Sequence, residues 1–444
     1  MIRRLIYPSY ASITGISRRT SRRVSERGQL IQIGIIVTAA LGIDTEIALI
    51  YQLFAFLICL YAAARVATLF QRPRLSVRRA LPRFVTAGEP FQYTVHIHNE
   101  GDRQEEDLIL IDKPLVTPPS YNEFVNAREP GEEERNAYDR YVGFHRFVWL
   151  QRRKTGVTTE QLDLPPLPAM GDVHAKVTAE PLRRGRVVLS GLTVGHPDPF
   201  GLVYGFEEFD QPEQVLVLPK RYPLPVTYLP PGGRHYQPGG VTSAWSVGES
   251  DEFVSLRDYR DGDPLRRIHW PSTAKRDIPV VKEHQDEYFV RQALVLDTCS
   301  TDWELMEDAV SVAASFAVTV DTKDSLLDLM FVAEGPFHCT AGRGLAHAEQ
   351  LLEVLSATDL SECPFETLSA SVLHHAPFLS GTILVLIDWD EKRKQMIRGL
   401  RSLNIPLEIL VIRRADQPPI EDEDLPDHFH ILLHGEIAEG LAKL

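Results

Sequence analysis

GTILVLIDWDEKRKQMIRGLRSLNIPLEILVIRR, residues 381–414, joins two apolar runs through a basic segment. Short apolar runs such as those at 381–390 and 406–414 are typical of β-strands that are buried on both faces. The segment 391–404 between them has the pattern of a helix with a basic outer face. A strand, a helix and a strand in succession predict a parallel sheet that is covered by helices.

The same alternation extends through residues 291–444. Further elements are predicted there, the strands at 291–298, 325–334 and 429–434 and the helices at 303–322 and 344–358. This region is therefore predicted to be an α/β domain of Rossmann-like type, with helices on both faces of its sheet. In such folds, ligands bind at the carboxyl ends of the strands.

Residues 73–219 have a different pattern, with short strands and turn-rich connections. FQYTVHIHN at 91–99 alternates apolar and polar residues and is followed by the turn signal EGD. Nothing in this region has catalytic spacing, and the pattern predicts an antiparallel β-sandwich. Residues 220–247, rich in Pro and Gly, are predicted to be a linker. The sandwich is predicted to have further strands at 108–112, 143–151, 175–181, 186–195 and 213–219 and an exposed charged loop at 126–140.

The N-terminal region predicts a membrane anchor. Residues 29–70 are hydrophobic apart from a break at GIDTE, residues 42–46. The second apolar piece is long enough for a membrane helix, whereas the first is short against the ~20 residues of a span. Buried core helices, or a signal-peptide core for the first piece, are the alternatives, but no small-residue cleavage site follows the first piece. The favoured interpretation is a transmembrane helical hairpin.

The charges that flank this hairpin predict its orientation. Arginines precede it within residues 1–28 and follow it from Arg65 to Arg83, whereas the connecting turn carries Asp44 and Glu46. Basic flanks remain on the cytoplasmic side of a membrane. The chain is therefore predicted to be a multi-pass protein of the cell inner membrane, with both termini cytoplasmic and the lipid bilayer as one of its partners.

The overall composition excludes some classes of function. The net charge is −14, which argues against nucleic acid as a partner because such ligands normally require a basic face. The four cysteines are scattered and form no CxxC pair, so neither a disulfide framework nor a zinc site is predicted from them. A reducing compartment fits this cysteine usage.

Residues 255–276, SLRDYRDGDPLRRIHWPSTAKR, combine closely alternating charges with large aromatic side chains. Three interpretations are open. The aspartates and His269 are residue types of acid–base or metal chemistry, yet each carboxylate has an arginine nearby, and no paired nucleophile or phosphate loop is evident. Alternatively, the charges pair within a turn that Trp270 anchors on the core. In the third interpretation, the turn presents arginine and aromatic side chains to a protein partner.

This stretch lies within residues 248–290, which resemble the signature of the domain-of-unknown-function-58 (DUF58) family. RRGRV and DPFGLV, within residues 183–203, are similar to a second recurring stretch of that family. The signature residues are predicted to have structural or interaction roles. The residues that match the signature are Glu252, Phe253, Leu256, Arg257, Tyr259, Gly262, Asp263, Arg266, Ile268, Trp270 and Ala274.

The resemblance implies a fold, a partner and a function class. It implies that the α/β domain is von Willebrand factor A-like and that the chain works with a MoxR-type AAA+ ATPase. The expected function is that of a membrane-anchored adaptor or scaffold in the assembly or activation of protein complexes, without enzymatic activity. The alternative is a metal-dependent hydrolase at the cytoplasmic membrane face.

The resemblance also raises the question of a metal. Von Willebrand A domains often bind Mg²⁺ through a DxSxS run after the first strand, and the corresponding residues here are 297–301, DTCST. Asp297 and Thr301 fit, but Cys299 replaces a serine, and a thiol is a poor ligand for Mg²⁺. By position, Thr340 and Asp388 or Asp390 stand in for the later ligands. The expectation is no cofactor, with a degenerate Mg²⁺ site as one possibility and a helix-capping role for Asp297 as the other.

Overall fold

The computed structural model divides the chain into two compact units, Met1–Leu218 and Pro219–Leu444. Each unit has its own secondary structure and hydrophobic core, so each is described by itself. The residues that the structure describes are 7–10, 24–41, 48–70, 73–129, 131–225, 253–260, 263, 265, 268–276, 278–284, 290–320, 325–342, 348–361, 363–420, 425–426 and 428–444.

The first unit begins with two helices, α1 (Glu26–Leu41) and α2 (Ala48–Phe70). They pack as an antiparallel pair, because Gln32 donates a hydrogen bond to the Tyr61 hydroxyl at 2.9 Å and Gly34 lies against Leu57. Among the described helices, one segment, Leu49–Phe70, is long and apolar enough to span a membrane. With 16 residues, α1 is about 24 Å long, shorter than the ~30 Å hydrocarbon core. One candidate span therefore stands where two were predicted.

Nine strands form the two sheets that follow these helices. One sheet has the order β1-β3-β7-β5 and the other β2-β9-β8-β4-β6. Every pairing is antiparallel except β2 with β9. The inward residues of both sheets share one core, so the predicted β-sandwich is confirmed. The strands are β1 (Leu75–Ala80), β2 (Phe84–Thr86), β3 (Phe91–Asn99), β4 (Ile109–Pro114), β5 (Val157–Thr159), β6 (Leu162–Asp163), β7 (Asp172–Pro181), β8 (Gly185–Pro197) and β9 (Tyr204–Leu218).

A helical insertion between β4 and β5 corrects two predictions. The strand predicted at 143–151 lies within helix α5 (Phe144–Lys154), and the loop predicted at 126–140 contains most of helix α4 (Ala137–Val142). Phe147 and Leu150 are buried three residues apart on one face of α5, so the apolar period here is that of a helix. A shorter helix, α3 (Tyr121–Asn126), begins with a capping box and completes the insertion.

The loop at residues 198–203 is the part of the β-sandwich that contacts the start of α1. The buried Asp198 carboxylate accepts hydrogen bonds from the backbone amides of Phe200, Leu202 and Val203 at 2.6–2.8 Å. Gly201 has a φ of +66°, a conformation that glycine adopts without strain. The Asp198 carboxylate therefore orders the DPFGLV loop, and the carbonyls of Gly201 and Leu202 are available to accept hydrogen bonds.

The start of α1 binds to that loop. The Ser25 hydroxyl donates to the carbonyl of Gly201 at 2.6 Å, and the Ser25 amide donates to the Leu202 carbonyl at 3.0 Å. Gly28 approaches so closely that an added Cβ would lie 2.0 Å from the Leu202 oxygen. Backbone contact at this point requires the absence of a side chain.

The second unit contains a six-stranded sheet of order β14-β13-β12-β15-β16-β17. Its strands are parallel except β14, which pairs antiparallel with β13. The order reverses between β12 and β15, where the chain crosses from one half of the sheet to the other. The strands are β12 (Val290–Leu296), β13 (Ser325–Val332), β14 (Pro336–Ala341), β15 (Gly381–Leu386), β16 (Leu407–Arg413) and β17 (Phe429–Leu433).

Helices cover both faces of this sheet. On one face, Ala293 and Val295 of β12 pack with buried residues of the helices Phe365–His375 and Glu391–Ser402. The helix Trp303–Thr319 contacts the opposite face of the sheet. The predicted strands and helices are found, whereas the antiparallel strand β14 and the helix Phe365–His375 were not predicted. The helices are α7 (Trp303–Thr319), α8 (Ala348–Ser356), α9 (Phe365–His375), α10 (Glu391–Ser402) and α11 (Ile437–Leu441).

We predict that Gly28→Ala weakens the attachment of α1 to the β-sandwich. A methyl group 2.0 Å from the Leu202 oxygen forces the helix away from the loop, and overpacking of this kind costs about 1–3 kcal/mol. Thermal unfolding of the full chain in mild detergent measures the loss. Gly34→Ala is the control, because its added Cβ meets only the flexible end of Leu57 at 3.3 Å. Equal melting temperatures for the two variants would contradict the proposed contact.

Candidate functional site

The signature segment forms a small hairpin within the second unit. Strands β10 (Phe253–Asp258) and β11 (Val280–His284) pair antiparallel, and helix α6 (Trp270–Arg276) lies between them in sequence. Ile268 forms a bridge with Val281, so the entry to α6 is tied to β11. The buried Val280 and Val281 provide the apolar side of this hairpin.

The Arg257–Asp263 pair orders the turn after β10. Arg257 donates through Nη1 and Nη2 to the two oxygens of the Asp263 carboxylate, both at 2.7 Å. The Arg260 amide donates to the same carboxylate at 2.8 Å. These hydrogen bonds, that from Arg257 first, lower the pKa of Asp263 to about 2. The carboxylate is ionised and occupied at neutral pH, so it serves as a structural acceptor.

The start of α6 is organised by His269. Its backbone carbonyl accepts a hydrogen bond from the Thr273 hydroxyl at 3.1 Å, and its Nδ1 lies 2.7 Å from the Ser272 hydroxyl. The Thr273 hydroxyl in turn accepts from the Val280 amide at 3.0 Å. His269 is thus engaged in holding the helix against β11, which gives it a structural role.

Trp270 is placed differently from the prediction that it anchors the turn on the core. Its exposed fraction is 67%, because it stands at the first position of α6 and projects from the hairpin. Leu265 and Ile278 of the same segment are exposed by 69% and 54%. The segment therefore exposes three large apolar side chains, those of Leu265, Trp270 and Ile278.

The structure describes some of the remaining signature residues. Phe253 is the first residue of β10, and the Tyr259 amide donates to the Pro279 carbonyl at 2.8 Å across the hairpin. Glu252, Gly262 and Arg266 lie outside the described residues. The structure brings Arg257, Tyr259 and Asp263 together and leaves the roles of the other three as predictions.

The carboxyl end of the sheet is closed by a buried ion pair. Asp297 follows β12, has no exposed surface, and accepts from Arg393 Nη2 at 2.6 Å and Nε at 2.8 Å. The amides of Cys299 and Ile387 also donate to Asp297, at 3.0 and 3.3 Å. Burial raises the pKa of Asp297, and the Arg393 guanidinium opposes this rise. Arg393 also donates to Asp390 at 2.9 Å and lies over the ring of Phe365.

The residues expected to hold Mg²⁺ do not fit a metal site. Arg393 occupies the Asp297 carboxylate, and burial, with the neighbouring Asp297, raises the pKa of the Cys299 thiol to about 11. Thr301 and Asp388 are exposed. Thr340 pairs in register with Asp328 beside Ala293, so it lies about 13 Å from Asp297 along the strands.

The helix-capping alternative for Asp297 is also wrong. The N-cap of α7 is Asp302, whose carboxylate accepts from the amides of Glu304 and Leu305 at 3.0 and 3.3 Å. Arg414, after β16, donates to the same carboxylate at 2.9 Å. Asp390, the other proposed ligand, caps α10 by accepting from the Arg393 amide at 2.9 Å.

A second buried carboxylate was not predicted. Asp328 lies within β13 with no exposed surface and accepts from Arg291 at 2.5 Å and from the Thr340 hydroxyl at 2.5 Å. His338 Nε2 lies 3.2 Å from the same carboxylate. Although burial opposes it, hydrogen bonds from His338, Arg291 and Thr340 lower the pKa of Asp328. The available signal was a charged residue in the middle of the apolar strand SLLDLMFV.

Comparison with a family model bears on the signature segment. The model described as "Protein of unknown function DUF58" matches residues 255–436. This match supports the DUF58 family. It spans the hairpin, the Asp297–Arg393 pair and the sheet through β17, so the resemblance seen at the signature extends over most of the second unit. No functionally curated protein matches the chain.

Solved structures of several unrelated proteins are similar to part of the chain. A CARDB domain from Pyrococcus furiosus is 12% identical, covers 33% of this chain and 90% of its own, and has a TM-score of 0.18. The native conformation of E. coli alpha-2-macroglobulin is 10% identical over 37% of this chain and 8% of its own, with a TM-score of 0.19. PapD-like domain 7 of human CEP192 is 14% identical over 32% and 86%, with a TM-score of 0.18. Scores this low carry no argument about fold or function.

We predict that Arg393→Met destabilises the second unit by about 3–5 kcal/mol, because it leaves the buried Asp297 without its charged partner. Chemical unfolding of the full chain measures the change. Arg398→Met on the same helix is the control, since Arg398 and its partner Glu391 are both more than 60% exposed. We expect the control to cost under ~1 kcal/mol. If the two variants unfold alike, the ion pair does not have the structural role assigned to it.

Proposed function

We propose that this protein is a membrane-anchored adaptor that uses the signature hairpin to bind a MoxR-type AAA+ ATPase. The observation that carries the proposal is the exposure of Leu265, Trp270 and Ile278 in the same segment as the Arg257–Asp263 ion pair. Tryptophan and arginine are enriched at interface hot spots, and large apolar side chains exposed within one short segment favour a protein partner. The nature of the partner is taken from the resemblance to the DUF58 family, whose members look like companions of such ATPases.

The charge arrangement at the sheet supports an adaptor over an enzyme. α/β proteins usually bind ligands where the strand order of the sheet reverses. At that point in this protein, Asp297 is buried and paired with Arg393. Asp263 and His269 of the hairpin are likewise engaged in hydrogen bonds that order the backbone. These groups hold the architecture together, which suits a rigid platform. We also propose the von Willebrand factor A-like relationship of the second unit on the strength of the family resemblance.

The membrane hairpin is part of the same proposal. Apolar side chains of both N-terminal helices are exposed, including Leu30 and Ile36 of α1 and Leu49 and Phe56 of α2, each by more than 60%. Lipid is the environment that suits such a surface. Before α1 in the chain, Tyr10 packs on the ring of Phe147 in the helical insertion of the β-sandwich. This contact supports a position of the N-terminus on the same side of the membrane as the β-sandwich.

We predict that Trp270→Ala reduces the capture of a purified MoxR-type ATPase from the same organism by at least tenfold, because loss of a hot-spot side chain costs about 2 kcal/mol or more. The full chain in mild detergent serves as bait, and the bound ATPase is quantified. The melting temperature should stay unchanged, since the side chain is mostly exposed.

The control for this experiment is Phe378→Ala, which removes another partly exposed aromatic side chain of the second unit, 40% exposed and distant in sequence from the hairpin. The control should bind as the unmodified chain does. Equal capture by all three proteins would refute the hairpin as the docking surface, and absence of capture by the unmodified chain would refute the partner.

We predict that epitopes at both termini are protected from protease added outside intact spheroplasts. The reason is the basic flanks on both sides of residues 29–70, which favour the cytoplasmic side. Immunoblots before and after the spheroplasts are opened provide the measurement. Loss of the N-terminal epitope alone would show a single span, and loss of the C-terminal epitope would reverse the proposed orientation of the body.

A further inference from the structure

Three potential metal ligands meet at the amino end of the parallel sheet. Glu408 is the second residue of β16, whereas His428 and His430 lie immediately before and within the neighbouring strand β17. His428 and His430 are two residues apart, so their side chains leave the same face of the strand. The ligand atoms of the three residues lie within 4.8 Å of one another.

The spacing of these atoms agrees with tetrahedral coordination. Bond lengths of about 2.0–2.1 Å to a tetrahedral zinc ion place neighbouring ligand atoms about 3.3 Å apart. Here, His430 Nε2 is 3.0 Å from one Glu408 oxygen, and His428 Nδ1 is 3.7 Å from the other. Because the two distances end on different oxygens of the Glu408 carboxylate, coordination requires a side-chain rotation that brings one of these oxygens towards both imidazoles.

The surroundings of Glu408 favour a cation. Its side chain is only 4% exposed, and a buried carboxylate requires a compensating positive charge. The backbone holds the site in place, because the Ile409 amide donates to the His428 carbonyl at 2.9 Å. Glu408 also lines a small cavity of about 30 Å³ with Gln292 and Thr319, which has space for a water molecule.

We infer that Glu408, His428 and His430 form a zinc-binding site. Two imidazole nitrogens and one carboxylate oxygen are a donor set that suits Zn²⁺, whereas Mg²⁺ prefers oxygen ligands throughout. Three protein ligands leave one position for water or an external ligand. The ion ties the outer strand β17 to β16, at the opposite end of the sheet from the Asp297–Arg393 pair. This site is independent of the proposed adaptor function.

The test measures metal binding to the full chain without a histidine tag, kept in mild detergent and freed of metal by a chelator. After equilibration with Zn²⁺ and dialysis, we expect one zinc per chain by elemental analysis. Co²⁺ added in place of Zn²⁺ should give the intense visible absorption of a tetrahedral complex. Zinc should also raise the melting temperature of the second unit, because it binds the folded form.

Glu408→Gln, His428→Ala and His430→Ala are each expected to lower zinc affinity at least tenfold and to abolish the cobalt spectrum. Glu408→Gln retains the shape of the side chain and removes a carboxylate ligand, and a melting temperature measured without zinc shows whether this variant is folded. His434→Ala is the matched control, since this histidine follows the same strand and pairs with Asp308 at 2.6 Å. Absence of stoichiometric zinc in the unmodified chain, or binding that all three variants retain, would overturn the inference.

Discussion

The buried ion pair between Asp297 and Arg393 is the interaction on which the second unit depends. It joins the end of β12 to the first turn of α10, and Arg393 reaches Asp390 and the ring of Phe365 as well. Removing two charges from water is costly, and the cost is met here by a complete set of hydrogen bonds around the carboxylate. The consequence is a fixed geometry at the point where the strand order of the sheet reverses.

A buried arginine–aspartate pair is also found in the first unit. Arg79 donates to both oxygens of Asp112 across the β-sandwich, and the Tyr93 hydroxyl donates to the same carboxylate, with all three side chains in the core. Arg79 belongs to the basic stretch that follows the predicted membrane hairpin, and its side chain is a structural part of the sandwich. In the loop that contacts α1, the buried Asp198 carboxylate accepts hydrogen bonds from three backbone amides.

These buried charged side chains are engaged within the protein, so the groups that can bind a partner or an ion lie near the surface of the two units. The Asp297 end of the sheet is occupied by protein side chains. Leu265, Trp270 and Ile278 of the signature segment are exposed, and the Glu408 cluster lies at the amino end of the strands. The N-terminal helices add an apolar exterior that suits lipid, and their attachment to the DPFGLV loop connects that exterior to the β-sandwich.

Local sequence was sufficient for the elements whose periodicity is unambiguous. Apolar runs such as 381–386 and 407–413 predicted the parallel strands, and alternation at 91–99 predicted the sandwich, because side-chain period reports directly on which faces are buried. At 143–151 the same reasoning failed, since Phe147 and Leu150 have a helical spacing that a short mixed stretch conceals. The signature motif located the hairpin but misjudged Trp270, because exposure is a property of the assembled fold.

Only the tertiary structure decided which charges meet. Asp297 and Arg393 are 96 residues apart. Cys299 argued against a magnesium site, but nothing in the DTCST run indicates that a distant guanidinium binds Asp297 instead. Glu408, His428 and His430 likewise come together only through the register of β16 with β17. The sequence by itself determined most strands and helices of the second unit, since their causes are local. The sites were decided by folding, because electrostatic pairing and coordination depend on distances between atoms that the order of residues does not contain.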